Sequence, residues 1–194
     1  MTDRLLFIVI FVIIICSFSY RKYAVSRRDA YLLRIGLACT LAADFCMLVI
    51  YNNKTGLMLF ICVQTIYMFR HMPSVSKASV FLLVPFGIYA ILSRFTPLTF
   101  EARLAAAYAC ALISSVLSAF ICRKCYPFPN NVFIKAGMLM FLLCDVNVAL
   151  MNILPEGVGK SLSRILIWVF YLPSQALLSA SGAKIKGGFI GERN

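Results

Sequence analysis

An all-α fold, a polytopic bundle of transmembrane helices with about seven spans, is what this sequence predicts. Three observations lead to it. Of the 194 residues, 62% are hydrophobic and only 13% are charged, whereas soluble domains average roughly 45–50% apolar and about 25% charged. The apolar residues form long unbroken runs, not the alternating pattern of barrel strands. The cations collect in the gaps between those runs. Such a chain has too little polar surface to cover a water-soluble globule. That excludes an ordinary soluble enzyme, a disordered chain and a secreted disulfide scaffold. In lipid, a backbone that must satisfy its own hydrogen bonds does so as helix.

The expected spans are residues 5–20, 31–51, 56–70, 78–92, 103–122, 132–151 and 162–181, in one membrane domain over residues 1–194. The first follows Arg4. Its exit, Ser17 to Arg21, has no A-x-A-like site and carries more positive charge than its start, so it is expected as a retained span and not a cleaved leader. The second follows a basic stretch and stops at Asn52–Asn53. The third runs to Arg70, with Pro73 beyond, and the fourth ends ahead of Pro97. The fifth begins at Arg103. The sixth follows the Pro127-Phe-Pro-Asn-Asn131 breaker, and the seventh follows Pro155-Glu-Gly157. The first, third and fourth are short for a hydrocarbon core of ~30 Å, which takes about 20 residues. Local thinning, or an added helical turn, is expected to make up the difference.

Nineteen Lys and Arg face seven Asp and Glu, a net charge of +12. In a soluble protein that excess would suggest nucleic acid. Here no nucleic-acid partner is expected, because the cations flank apolar spans and meet anionic lipid headgroups. Seven spans put thirteen cations on the side of loops one, three and five and the C-terminal tail, and six on the other. The positive-inside rule then predicts a plasma-membrane protein with its N-terminus outside and its C-terminus in the cytoplasm.

Several chemistries are poorly provided for. Six of the eight cysteines lie inside spans, where cysteine packs as a small apolar residue. Cys122 and Cys125 form a lone CxxC, and a structural zinc site takes four ligands. His71 is the single histidine, expected as an interfacial polar residue. No metal and no cofactor is expected, and GxGxxG and P-loop motifs are absent. The last span holds no lysine for a retinal Schiff base.

Two acids fall deep inside spans, Asp44 and Asp145. An acid at mid-bilayer costs roughly 2.5–3.5 kcal/mol on insertion scales and by default marks a functional site. Both sit in one frame, [Arg/Lys]-x-Gly-x7-Asp, starting at Arg34 and at Lys135. The cation reaches the interface, the glycine admits a neighbouring helix, and the aspartate lies roughly 12 Å deeper. The frames occupy spans of the same direction, so they suggest an internal parallel repeat with both acids at one depth in a shared polar cavity. Neighbouring spans add Gln64 and Tyr67, and Tyr171 and Gln175 four apart on one face. Asn147 lies two residues from Asp145, on another face of its helix.

These residues carry a resemblance. The blocks Gly36-LACTLAA-Asp44, Phe60-ICV-Gln64-TI-Tyr67, Phe141-LLC-Asp145 and Tyr171-LPS-Gln175, in that order over spans two to seven, resemble the YhhN/lysoplasmalogenase family of polytopic membrane proteins. The family's Gly-Asp or Ser-Asp reads Ala43-Asp44 and Cys144-Asp145 here, and its third-span histidine is Gln64. The resemblance implies hydrolysis of the vinyl ether of lysoplasmalogens, with a lysophospholipid-like membrane lipid as substrate. Asp44 and Asp145 would be catalytic. Gln64, Tyr67, Asn147, Tyr171 and Gln175 would bind substrate or orient water. Vinyl ethers hydrolyse by protonation at carbon, then capture of the cation by water, which a pair of carboxyl groups sharing one proton can serve. Paired membrane acids also serve a small-solute or proton-coupled transporter, and the same pocket suits a non-catalytic lipid-binding protein.

Overall fold

The structure, a computed structural model, describes residues 8, 10–12, 15, 26–72, 75–121 and 126–183. The first expected span therefore lies largely outside the described residues. So do Pro73, Cys122, Cys125 and the tail from residue 184 with its cations.

The described residues from 26 onward form six helices and no strand. They are α1 (Arg27–Leu48), α2 (Asn53–His71), α3 (Val75–Phe95), α4 (Phe100–Ile121), α5 (Asn130–Ile153) and α6 (Val158–Ala180). Polar residues start several of them. Ser26 accepts the Asp29 amide at 3.0 Å ahead of α1, and Asn52 accepts the Thr55 amide at 3.1 Å ahead of α2. Thr99 accepts the Ala102 amide at 3.3 Å at the start of α4. Each cap satisfies a donor that the first helical turn leaves free. Helices α2 and α3 run longer than the apolar runs 56–70 and 78–92. By length and composition α1, α4, α5 and α6 could each cross a membrane, and α3 contains a shorter apolar stretch, Leu83–Phe95.

Packing closes a ring. Helix α1 packs on α2, α2 on α4, α4 on α5, α5 on α6, and α6 returns to α1. Helix α3 stands outside, against α4 and the edge of α2. The pairs α5–α6 and α1–α2 are the most extensive, and the α6–α1 seam is the thinnest.

The ring is turned inside out relative to a soluble protein. Thr40, Gln64, Ser115, Ser118, Ser174 and Gln175 are fully buried. Leu83, Phe86, Ile113, Leu117, Val146 and Ile165 are exposed around the outside. Large apolar side chains outside and hydrogen-bonding side chains inside is the arrangement a lipid solvent selects.

The repeated frame extends to helix pairs. Buried Asp29, Leu33, Gly36, Leu37, Thr40 and Ala43 of α1 match buried Asn130, Ile134, Gly137, Met138, Phe141 and Cys144 of α5, position for position. The glycines explain the pairing. A Cβ on Gly36 would lie 2.8 Å from the Tyr67 ring of α2, and one on Gly137 would lie 2.9 Å from Leu178 of α6. Each frame glycine thus makes room for a side chain of the following helix, and Gly137 for its backbone as well. By the same register Gln64 of α2 matches Gln175 of α6.

Candidate functional site

Both aspartates point into the ring. Asp44, on α1, accepts a hydrogen bond from the Tyr171 hydroxyl of α6 at 2.6 Å. That bond crosses the thin α6–α1 seam. Asp145, on α5 and partly buried, accepts one from the Tyr108 hydroxyl of α4. Asp145 lies within electrostatic range of Asp44, and Cys144 within range of both. The centre is thus two carboxyl–tyrosine pairs contributed by four helices. Phe60, Phe141 and Trp168 pack against the tyrosines, with ring centroids 5.7 Å apart for Phe60–Tyr108 and 5.8 Å for Phe141–Tyr171.

The other sequence-derived residues divide. Gln64 is fully buried, close to the Tyr108 hydroxyl, yet neither of its amide atoms forms a hydrogen bond of normal geometry among the described residues. Gln175, one turn beyond Tyr171, is equally buried and equally unpaired there. Between them Pro173 supplies no N–H to its helix, and Ser174 donates across to the Gly137 carbonyl at 2.9 Å, tying α6 to α5 beside the site. Tyr67 lies one turn beyond Gln64, near Thr40 and stacked on His71. Asn147 is turned to its own helix, donating to the Leu143 carbonyl at 2.8 Å.

Tyr108 is the member that the sequence reading missed. It stands in an Ala- and Leu-rich helix with no acid and no repeat beside it, so only the packing of α4 on α5 brings it to Asp145.

A second polar cluster sits at the end of the ring where α1 begins and α2 ends. Arg70 donates to Asp29 through Nε at 2.8 Å and through Nη2 at 3.2 Å, and Nη2 also reaches Ser181 at 2.9 Å. Tyr126 donates to Asp29 at 2.6 Å and lies 2.8 Å from the Arg70 carbonyl. Burial pushes the Tyr126 hydroxyl pKa up, against the opposing pull of the Arg70 charge. Asn130 donates to the Ser181 and Ala183 carbonyls. Asp29, ahead of the second expected span, is therefore a buried ion-pair partner. His71, expected at an interface, is also buried, with Nδ1 3.2 Å from the Ser118 hydroxyl. Close packing of α2 on α4 is what removes it from water.

Among the described residues, no group of three or more His, Cys, Asp or Glu side chains is arranged to hold a metal ion.

These features define a class: an α-helical membrane protein with an apolar exterior and a carboxyl–tyrosine centre inside a helix ring. The YhhN family model matches residues 4–182, nearly the whole chain, and the chain belongs to the YhhN family. Searches of curated proteins and of solved structures gave no match.

Proposed function

We propose that this membrane protein hydrolyses the vinyl ether of lysoplasmalogens, with Asp44 and Asp145 as the acid–base pair. The observation that carries the reading is that two carboxyl groups, each held by a tyrosine hydroxyl, share the interior of one helix ring. One carboxyl delivers a proton to the vinyl carbon remote from oxygen, which leaves an oxocarbenium ion. The other carboxylate takes a proton from the water that attacks it. The resulting hemiacetal collapses to a fatty aldehyde and a glycerophospho alcohol, so one water is consumed and the proton is returned. Tyr108 and Tyr171 fix the carboxyl groups, and Gln64 and Gln175, whose amides make no hydrogen bond of normal geometry among the described residues, serve water and the glycerol hydroxyl. The substrate arrives from the surrounding lipid, so no soluble domain is needed. In this reading the protein lies in the plasma membrane, N-terminus outside, with anionic headgroups against its basic cytoplasmic face.

The test is release of fatty aldehyde from a lysoplasmalogen in detergent micelles by the purified chain. Activity in the wild type, with Asp44→Asn and Asp145→Asn each losing about 10²–10⁴-fold while still folded, is the expected result. A folded wild type that releases no aldehyde overturns the assignment and moves the weight to transport or lipid binding.

A further inference from the structure

The α2–α4 interface is polar along its length, and the two helices run in the same direction. At one level Gln64 of α2 meets Tyr108 of α4, the donor to Asp145. Two turns further along both helices, His71 meets Ser115 and Ser118. Tyr67, stacked on His71 and beside Thr40, bridges the two levels. This inner face is fully or almost fully buried, at 0% exposure for Gln64, Tyr67, Ser115 and Ser118 and 1% for His71.

Its hydrogen-bonding capacity is far from used. Among the described residues the Ser115 hydroxyl and His71 Nε2 have no hydrogen-bond partner, and the Gln64 amide and Tyr67 hydroxyl, although near Tyr108 and Thr40, make no hydrogen bond of normal geometry. The histidine is specific about what it lacks. The Ser118 hydroxyl spends its proton on the Ser115 carbonyl at 2.6 Å, so in the neutral ring Nδ1–H donates to Ser118 and Nε2 is a bare acceptor. Leaving a buried donor or acceptor unpaired costs about 1–3 kcal/mol, so the Ser115 hydroxyl and His71 Nε2, with the Gln64 amide and Tyr67 hydroxyl beside them, call for a further partner. Buried polar atoms without protein partners are ordinarily bridged by internal water, each water taking two to four partners.

We infer that the α2–α4 interface holds a file of ordered water running from the Tyr108–Asp145 pair to His71. Seven residues separate Gln64 from His71, a rise of roughly 10 Å, which suits about three waters at ordinary spacing. The file ends beside Arg70, whose pairing with Asp29, Tyr126 and Ser181 closes that end of the ring. It gives the aspartates a route for water and protons that does not cross the lipid-facing surface. The inference concerns hydration and stands whether the site hydrolyses, transports or binds.

X-ray radiolytic hydroxyl labelling, read by mass spectrometry on the intact protein in detergent, tests it. Radicals form from water in place, so a buried side chain is modified only where water is bound beside it. Tyr67 and His71 are expected to be modified several-fold more than Phe141 and Met138, which are as deeply buried in the apolar core. Ser115→Val, which fills the water position with a methyl group, is expected to abolish the excess at His71 while the melting transition persists. Labelling of Tyr67 and His71 no higher than Phe141 overturns the proposal, and so does an excess at His71 that survives in folded Ser115→Val.

Discussion

Removing the Tyr108 hydroxyl leaves the Asp145 carboxyl without its donor, inside a ring shielded from bulk water. A hydrogen bond to a charged group contributes about 1.5–3 kcal/mol. Tyr108→Phe is therefore expected to lower aldehyde release by about 10- to 100-fold with little change in fold, as kcat measurements beside a melting curve would show. Tyr126 makes a different prediction. Its pKa is raised in the folded state by burial, so the folded protein holds that proton more tightly than the unfolded chain. The associated stability is complete below the unfolded tyrosine value of about 10 and is lost as pH rises above it. Melting temperatures followed from neutral to alkaline pH should fall more steeply for the wild type than for Tyr126→Phe. Parallel curves would remove Tyr126 from the alkaline transition.

Helix pairs are where the glycine frame acts. A methyl at Gly137 would meet Leu178 Cγ at 2.9 Å and the Leu178 backbone nitrogen at 3.3 Å. No rotamer change moves a backbone atom, so α5 and α6 would have to part, straining the Ser174–Gly137 bond that ties them. Gly137→Ala is expected to destabilise by about 1–3 kcal/mol, readable as a lower melting temperature in detergent. This much was legible in the sequence, because a cation, a glycine and an acid at fixed spacing report depth, close approach and cost together. The Tyr171 and Gln175 spacing was legible for the same reason: four residues apart is one face of a helix. What was not legible depends on contacts between distant segments. Asp29 and Tyr126 fall between the expected spans and Arg70 at the end of one, and only the convergence of helix ends makes them one buried cluster. Tyr108 has no local pattern at all, and the burial of His71 follows from the α2–α4 packing, which no period in the sequence announces.

For the molecule as a whole, the charge distribution and the ring make one statement about direction. The α5–α6 turn and the α4–α5 turn lie at opposite ends of the bundle, with Glu156 exposed in the first and Phe128 80% exposed in the second. If the thirteen-cation side is cytoplasmic, a cysteine at Glu156 should react with a membrane-impermeant maleimide on intact cells. A cysteine at Phe128 should react only after permeabilisation, both in a background lacking Cys122 and Cys125. The reverse pattern would invert the orientation. The ring also has a consequence for synthesis. Asp44 enters the membrane early, yet its tyrosine lies 127 residues later, on α6. Until the ribosome has delivered α6, the nascent chain carries a carboxyl group in lipid without that donor, and the Ser181 partner of Arg70 is equally late. Insertion of α6 must therefore be finished before the interior is chemically complete, and a chain cut short after α5 lacks these partners of both Asp44 and Arg70.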